Sequence, residues 1–435
     1  MGYFLYLSAE TWTLLVALVT LAIFDGRQPV LCITDPAMIK TVLVKECYSF
    51  FINRRNFRLN GPLYDAVSIA EDDQWRRIRS ILSPSFTSGK LKEMFGIMQN
   101  HSTVLINNMK KVSDKDQFFG PYSMDVVTSS AFSIEIDSLN NPSDPFVTNI
   151  KKMLKFDFLN PLFLAVAFFP FLGPVFEKME FSFFPSSVTD FFYASLKKIK
   201  SNRETSKQKS RVDILQLMID SQKNLTALSD HEILSQAMIF LFAGYETTSS
   251  SLTFLAYNLA TNPDVMKKLQ QEIDATFPNK GPIDYQTLMD MEYLDAAINE
   301  SLRLYPIVNR LERVAKASVE INNLLIPKDM VVMVPVWPLH RNPEIWPEPE
   351  KFKPERFTKG NKETIDPYTY MPFGMGPRNC IGMRFALVSM KLVMTKILQR
   401  FSFSVCNETE IPVELDVQGL LSPKGPVKLK LVPRS

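Results

Sequence analysis

The sequence predicts a mainly α protein with small β-sheets, built as a single large domain behind a short N-terminal apolar segment. Three observations carry that expectation. Phe 33 against Gly 15 describes an apolar, turn-poor interior. Apolar residues recur at helical spacing through most of the chain. Runs rich in β-branched residues are short and few, the longest lying at 318–337. A hydrophobic share of 46% over 435 residues buries a large core without a disulfide or metal staple. Net charge is +3, from 49 basic and 46 acidic residues, which argues against a polycationic nucleic-acid binder.

In chain order, Trp12 to Phe24 is continuously apolar or neutral, with Glu10 before it and Asp25 and Arg27 after it. A spanning helix needs about 20 apolar residues, so the run is short. Residues 1–24 read as a membrane anchor, against a buried helix or a removed signal peptide. Residues 25–435 read as one domain. A strand is expected over 30–35 and a helix from Asp35-Pro36. Further helices are expected over 73–83, 90–112, 122–134, 186–203, 230–256, 263–276 and 284–304. The stretch 318–337 reads as a hairpin turning at Pro327-Lys328-Asp329, and 335–375 as irregular. A last helix is expected over 381–400, then a β-like tail. Prolines 161, 170 and 174 keep the Phe-rich stretch 154–185 from forming one long helix. It reads as core or as an apolar lid at a membrane surface. The basic stretch 197–211 reads as a solvated helix end more readily than as a binding patch.

The residue counts narrow the chemistry. Cys32, Cys47, Cys380 and Cys406 form no CxxC pair, and His101, His231 and His340 share no metal-ligand spacing. No GxSxG elbow supports a serine hydrolase. A lone cysteine is ordinarily a small buried hydrophobe. Cys380 is placed differently: it follows a Gly-containing loop, FGMGPRNCIG (373–382), and precedes a helix. Backbone N–H groups and the positive helix end favour its thiolate, and Arg378 adds a cation. That setting suits an iron ligand or a nucleophile.

Phe373, Gly374, Gly376, Arg378, Cys380 and Gly382 resemble the haem-ligand signature of the cytochrome P-450 superfamily, the haem-thiolate monooxygenases. Other landmarks are similar and in the same order: Glu300 and Arg303 as ExxR, Arg356 in PERF, AGYETT at 243–248, and Trp75 with Arg79. CYSFFINRR, SPSFTSGKLKEM, LFAGYETTSS and RNCIGMRFAL resemble subfamily 3A. The resemblance covers 25–435 almost continuously, and it implies the cytochrome P-450 fold.

It implies haem b, with Cys380 as the axial iron ligand and Phe373 beside it. Arg54, Trp75, Arg79, Arg313 and Arg378 would hold the propionates. Glu300, Arg303 and Arg356 would form a buried lock that serves folding and haem retention. On the central helix, Ala243 and Gly244 would let the backbone pass close over the porphyrin. Thr247 would bond the carbonyl a turn earlier, opening the helix and presenting its hydroxyl to the reacting oxygen. Glu246 would bring protons inward. The pocket would be lined by Phe57, Ser68, Ile239, Phe242, Ala243, Ile307, Val308 and Leu311. Phe156, Phe158, Phe163 and Phe184 would roof it.

So apolar a wall implies steroids, drugs and other bulky lipophilic substrates. The chain lacks a GxGxxG nucleotide fingerprint. Electrons would then come from NADPH through a flavoprotein reductase, with a b-type cytochrome as a further partner. Arg76, Arg77, Lys90, Arg384 and Lys391 could form the basic docking face or be simple surface charge. The resemblance implies the endoplasmic reticulum membrane, cytosolic face, and no nucleic acid. One departure stands out: about fifty residues of family pattern, including the first strand and helix, are absent after Phe24. The strand at 30–35 would then lose its outer neighbour. Three functions stay open: an active monooxygenase, a haem-binding but catalytically impaired variant, and a haem-thiolate isomerase or synthase. The Glu246-Thr247 pair argues against the last.

Overall fold

The computed structural model describes residues 23–25, 27–109, 118–153, 160–205, 213–222 and 227–434. Nearly all of the expected anchor, and Phe156 and Phe158, lie outside the described residues.

The long helices form where apolar spacing places them: α1 Asp72–Leu82, α2 Ser88–Met109, α3 Phe119–Phe132, α4 Pro161–Phe168 and α5 Gly173–Lys178. They continue as α6 Ser186–Thr205, α7 Asp230–Thr261, α8 Pro263–Thr276, α9 Glu292–Leu304 and α10 Met383–Leu398. Local chemistry sets their ends. Ser229 and Glu232 close a reciprocal capping box at the start of α7. Pro263 opens α8 without forfeiting a helical donor. The helix expected over 284–304 is two: Asp284 caps a short Tyr285–Asp290 helix, and Met291, extended at ψ 117, separates it from α9.

Helix α7 is the axis of the molecule. It is buried along most of its length and packs against α3, α6, α8, α9 and α10. One apolar cluster joins it to α2, α3, α9 and α10, so burial on all sides fixes its position.

The small sheet sits at one side. Its strands are β1 Ile23–Asp25, β2 Gln28–Cys32, β3 Leu311–Val314 and β6 Val331–Val334, in the order β1-β2-β6-β3. Only the β2–β6 pair is parallel. Two expectations are corrected here. The hairpin within 318–337 joins β4 Val319–Ile321 to β5 Leu324–Ile326 and turns at Asn322-Asn323, both at positive φ. Asn tolerates that region, so the turn needs no glycine. The Pro327-Lys328-Asp329 turn instead delivers the chain to β6 in the other sheet. Second, β2 does have an outer neighbour. The end of the apolar run supplies β1, with Ile23 opposite Val30 and Asp25 opposite Gln28. Asp25 pins it by accepting from Arg55 at 2.6 Å and Arg310 at 3.4 Å. At the C-terminus, β7 Phe401–Ser404 pairs with β10 Lys430–Pro433, and β8 Leu415–Asp416 with β9 Ser422–Pro423.

The Phe-rich stretch divides its rings. Helices α4 and α5 meet at 115° across the Pro170 turn. Phe163 packs inward on Phe57 and Phe183 at 5.3 and 5.5 Å between centroids. Phe168, Phe169 and Phe171 face outward, Phe171 at 72% exposure. Among the described residues no single helix is long and apolar enough to cross a membrane.

Candidate active site

The loop before α10 is shaped by glycine. Gly374 and Gly376 lie at φ 73 and 75, and a Cβ on Gly376 would stand 2.0 Å from the Leu43 carbonyl oxygen. No other residue fits there. Cys380 N–H donates to Phe373 O at 2.8 Å and Asn379 N–H to Gly376 O at 3.0 Å, closing the loop. Two arginines hold it from outside. Arg79 donates to Asn379 O and Oδ1, each at 3.0 Å, and Arg54 to Arg378 O at 2.9 Å. A Cβ on Gly382, the N-cap of α10, would meet open space.

The sulfur of Cys380 is reachable by solvent, yet the protein around it desolvates it strongly. Together these describe a side chain on an internal chamber. Burial pushes the thiol up. The Gly382 and Met383 N–H groups, Arg54 and Arg79 pull it down without prevailing. The expected helix-end effect is therefore present but outweighed, and the nearby cations are Arg54 and Arg79, not Arg378.

Arg313 and Arg378 are almost wholly buried. Burial first, then repulsion from Arg54, pushes both guanidinium groups below their ordinary range. Arg378 donates to Ile52 O at 2.7 Å and Ala70 O at 2.6 Å, and stacks 4.3 Å over Trp75. Its Nη1 has no partner, and neither has Nε of Arg313. Unpartnered buried donors are costly and rare. Arg54, which acts on this pair and on the Cys380 thiol, links them to the site, and the set fits the two propionates and the iron of a haem. Among the described residues no group of His, Cys, Asp and Glu could hold a bare metal ion.

Across the site, α7 runs unbroken through 243–248, so the expected local opening is not seen. Ala243 is solvent-reachable within an otherwise buried helix. Gly244 serves a different contact than expected. Its missing Cβ would lie 2.5 Å from Val127, so its smallness lets α3 approach. Thr247 Oγ1 donates to Ala243 O at 2.6 Å, the expected back-bond. Burial raises the Glu246 carboxyl, and Ser250 Oγ, donating at 3.2 Å, partly opposes this.

The lock assembles in full. Glu300 accepts from Arg303 Nε at 2.8 Å and Nη2 at 2.9 Å, from Arg356 Nε at 3.3 Å, and from Lys353 N at 2.9 Å. Arg303 also donates to His340 O at 2.7 Å and Pro349 O at 2.8 Å. Neither Glu300 nor Arg303 has accessible surface.

The expected pocket residues fall into three groups. Phe57 meets Phe163 and Phe183, while Phe242 meets Phe184 at 6.1 Å and shares the main core with Ile239. Ile307 packs instead on Phe254, Tyr257, Val413 and Leu421, with Val308 exposed beside it. Leu311 packs with the small sheet, near Gly374. Ser68 is partly buried, on a segment whose Val67 N–H donates to the Gln236 side chain at 2.7 Å.

The expected basic face loses two members. Lys391 is buried against Asp295 at 3.1 Å, and Arg77 bonds Glu232 at the start of α7. Arg76 and Arg384 are exposed, and Lys90 is partly exposed and pairs with Glu93.

Sequence reasoning passed over His340. It is fully buried, and burial holds its pKa down to about 3. Its Nδ1 contacts Arg303 O at 3.2 Å, and its Nε2 accepts from Met371 N–H at 3.1 Å. It thus ties the lock to the start of the Cys380 loop. The only signal was a histidine inside an irregular, Pro-rich stretch.

The comparisons agree on one family. A family model described as Cytochrome P450 matches residues 19–431. Cytochrome P450 3A30 of Fundulus heteroclitus is 70% identical over 497 aligned positions, covering 100% of both chains. Those 497 positions against 435 residues here leave at least 62 positions of that relative without a counterpart. Cytochrome P450 3A40 of Oryzias latipes is 70% identical over 498 positions, covering 100% of this chain and 99% of its own. Cytochrome P450 3A29 of Sus scrofa is 57% identical over 423 positions, covering 95% and 84%.

Proposed function

The chain belongs to the cytochrome P450 family, subfamily 3A, as a haem-dependent monooxygenase, and from that premise we propose that it hydroxylates bulky lipophilic substrates with electrons from NADPH. The electrons arrive through a flavoprotein reductase, a b-type cytochrome serving as a second donor. Steroids, drugs and other xenobiotics form the substrate class. The observation that carries this reading is the arginine cluster at the Cys380 loop: Arg54 and Arg79 act on the thiol, and Arg313 and Arg378, crowded against Arg54, keep unpartnered buried donors.

Bound there, a thiolate-ligated haem supplies the activation of dioxygen and the insertion of one oxygen atom into a C–H bond. The protein's own groups do the rest. Arg54, Arg79, Arg313 and Arg378 would take the propionates, Arg378 with its free Nη1 and Arg313 with its free Nε. Trp75 holds Arg378 in place from beneath. Glu300, Arg303 and Arg356 keep the proximal side rigid. On α7, Ala243 would leave room for the group, Thr247 would present its hydroxyl on the same side, and Glu246, whose carboxyl burial raises, would take up and pass on a proton. Phe57, Phe163, Phe184 and Phe242 exclude water from the substrate, and their apolar surface supports selection by shape. The outward rings of Phe168, Phe169 and Phe171 support contact with a membrane surface, here the cytosolic face of the endoplasmic reticulum.

The second reading, a haem-bound but impaired variant, rests on the 62 unmatched positions. One pair of measurements separates the two. The reduced carbon monoxide spectrum shows the thiolate-type band in both, and Cys380→Ser abolishes it. Product formed from NADPH with added reductase appears only in the first. A thiolate-type band persisting in Cys380→Ser would overturn the site.

A further inference from the structure

The start of α7 meets the segment 59–70 through a histidine that takes no part in the site described above. His231, in the first turn of α7, directs its imidazole Nδ1–H to Asp65 Oδ2 at 2.8 Å. Asp65 is 2% exposed, and its Oδ1 has no hydrogen-bond partner. The His231 side chain keeps 31% of its surface open to solvent, so its ring exchanges a proton with water. An enclosed carboxylate is thus faced by one group that titrates near neutral pH.

Other contacts draw the same segment onto α7. The Gln236 side chain donates to Asp65 O at 2.9 Å and accepts from Val67 N–H at 2.7 Å. Tyr64 lies over the imidazole, 4.9 Å between centroids and 23° between planes. The segment is built of turns, not of helix or strand ladders, so side-chain contacts fix its position. At its start Leu59 O accepts at 2.9 Å from the N–H of Phe183, which packs on Phe57 and Phe163. At its end Ala70 O accepts from Arg378 Nη2 at 2.6 Å. It therefore runs from the phenylalanine cluster to the buried arginines, carrying Ser68 between them.

The surroundings favour a charged imidazole. The hydrogen bond to Asp65 raises it most, burial opposes, and the charges of Asp65, Glu232 and Glu180 add to the rise. Glu232 is itself bonded to Arg77 of α1, and Asp230 to Lys200 of α6 with Lys197 nearby. Tyr193 of α6 closes the far side at 6.3 Å. The positive end of α7 disfavours a cation in its first turn, so Asp65, not the helix, holds the charge.

We propose that His231 is a positioning residue for substrate recognition: with Asp65 it latches the segment 59–70 to α7, firmly when the imidazole is protonated and loosely when it is neutral. The inference rests on the monooxygenase reading, which makes this segment a wall of the substrate pocket. Because Asp65 raises the imidazole, the latch is complete below about pH 6.5 and slackens as pH rises through the higher midpoint. A wall already in place costs less to order on binding, so lipophilic substrates bind more tightly at the lower pH.

The test uses the haem-loaded protein. Val67 N–H, bonded across to Gln236, exchanges with heavy water when the segment parts from α7. After correction for intrinsic exchange, its protection is expected to fall about tenfold from about pH 6 to about pH 9, the loss of one charge-assisted hydrogen bond. Amides in the middle of α9 should not follow it. Asp65→Asn should flatten this pH dependence, with His231→Leu as the second variant should Asp65→Asn not load haem. His231→Arg, cationic throughout, should keep the high protection at both ends. Progesterone, which does not titrate, should bind about threefold more weakly at the higher pH in the parent and equally at both in Asp65→Asn, read from the haem absorption shift. Val67 protection unchanged between the two pH values, or a full pH dependence persisting in either neutral variant, overturns the latch. Progesterone affinity that ignores pH while Val67 responds overturns its part in recognition. A parent that binds no progesterone at either pH counts against the proposed function and leaves Val67 to decide the latch.

Discussion

The two sides of the site handle charge and polarity in opposite ways. On the proximal side every polar side-chain atom of Glu300 and Arg303, the buried pair of the lock, has a partner. Glu300 accepts four hydrogen bonds, Arg303 divides its donors between that carboxylate and loop carbonyls, and neither side chain meets solvent. On the distal side Glu246 has one protein hydrogen bond to its carboxyl and faces a cavity, while Ala243 and Thr247 remain reachable. A fully spent network has one arrangement and resists change. A partly spent one can pass a proton and return. Changes on the first side should therefore read out as stability and haem retention, and on the second as yield of product per electron.

The largest expected effect is at Glu300. Glu300→Ala strands Arg303 without its carboxylate in a site closed to water, which costs about 3–5 kcal/mol. The urea midpoint should fall by that equivalent, and the purified protein should carry little haem. Normal haem content and an unchanged midpoint would remove the distinction between the two sides. Next is the Cys380 loop. Gly376→Ala forces a Cβ onto the Leu43 carbonyl oxygen at positive φ, a strain of about 2–4 kcal/mol. Gly382→Ala, two residues beyond the cysteine on the other side, should fold normally, since its Cβ meets open space. If haem must lie against that space, Gly382→Ala will still weaken haem retention, and a chelation-free haem-transfer assay will show it.

These contrasts indicate what could be read from sequence. Helices α1 to α3 and α6 to α10 were legible because their apolar period is local, and the lock was half legible because Glu300 and Arg303 are a helical turn apart. What failed was long-range. Nothing around Gly244 says that it faces Val127, and nothing around Arg77 or Lys391 says that Glu232 or Asp295 will take them. The Asn322-Asn323 turn lost to Pro327-Lys328-Asp329 because Pro and Asp signal turns more loudly than paired Asn. Strand β1 was hidden within a run apolar enough to read as an anchor. The Cys380 cradle was legible as a pattern, but burial outweighs the helix end in setting its thiol.

A smaller effect sharpens the comparison through pH. His340 belongs to the spent side: burial first, then repulsion from Arg303 and Arg341, holds its pKa at about 3. An unfolded histidine binds its proton near pH 6.5. Between those values the unfolded chain holds the proton and the folded chain does not, so stability falls as pH drops below about 6.5. The slope is about 1.4 kcal/mol per pH unit for one group, above pH 3. His340→Gln should lose that contribution to the acid limb, whatever it costs at neutral pH. Thermal midpoints at pH 7.5, 6 and 5 compare the two slopes, and identical slopes would mean that His340 takes a proton in the folded state.

The smallest effect on folding is expected at Thr247, where the distal side should show its character. The Thr247 hydroxyl spends its proton on Ala243 O at 2.6 Å, so at rest it is an acceptor toward the chamber and must rotate to donate. A fully committed donor aimed at developing charge is typically worth about 2–4 kcal/mol at the barrier. A hydroxyl that first has to break a back-bond gives less, about 1 kcal/mol, and water can replace part of that. Thr247→Ala should therefore load haem, bind substrate and fold like the parent, since losing the back-bond leaves an intact helical carbonyl. On the proposed reading electrons arrive from the Cys380 side, so NADPH consumption should continue. Product per NADPH should fall about fivefold, with hydrogen peroxide released in its place. Thr247→Ser keeps the hydroxyl without the methyl that helps fix its rotamer, and should recover most of the yield. If Thr247→Ala instead lowers the thermal midpoint and leaves the yield intact, Thr247 is a packing residue. The distal side would then be as structural as the lock.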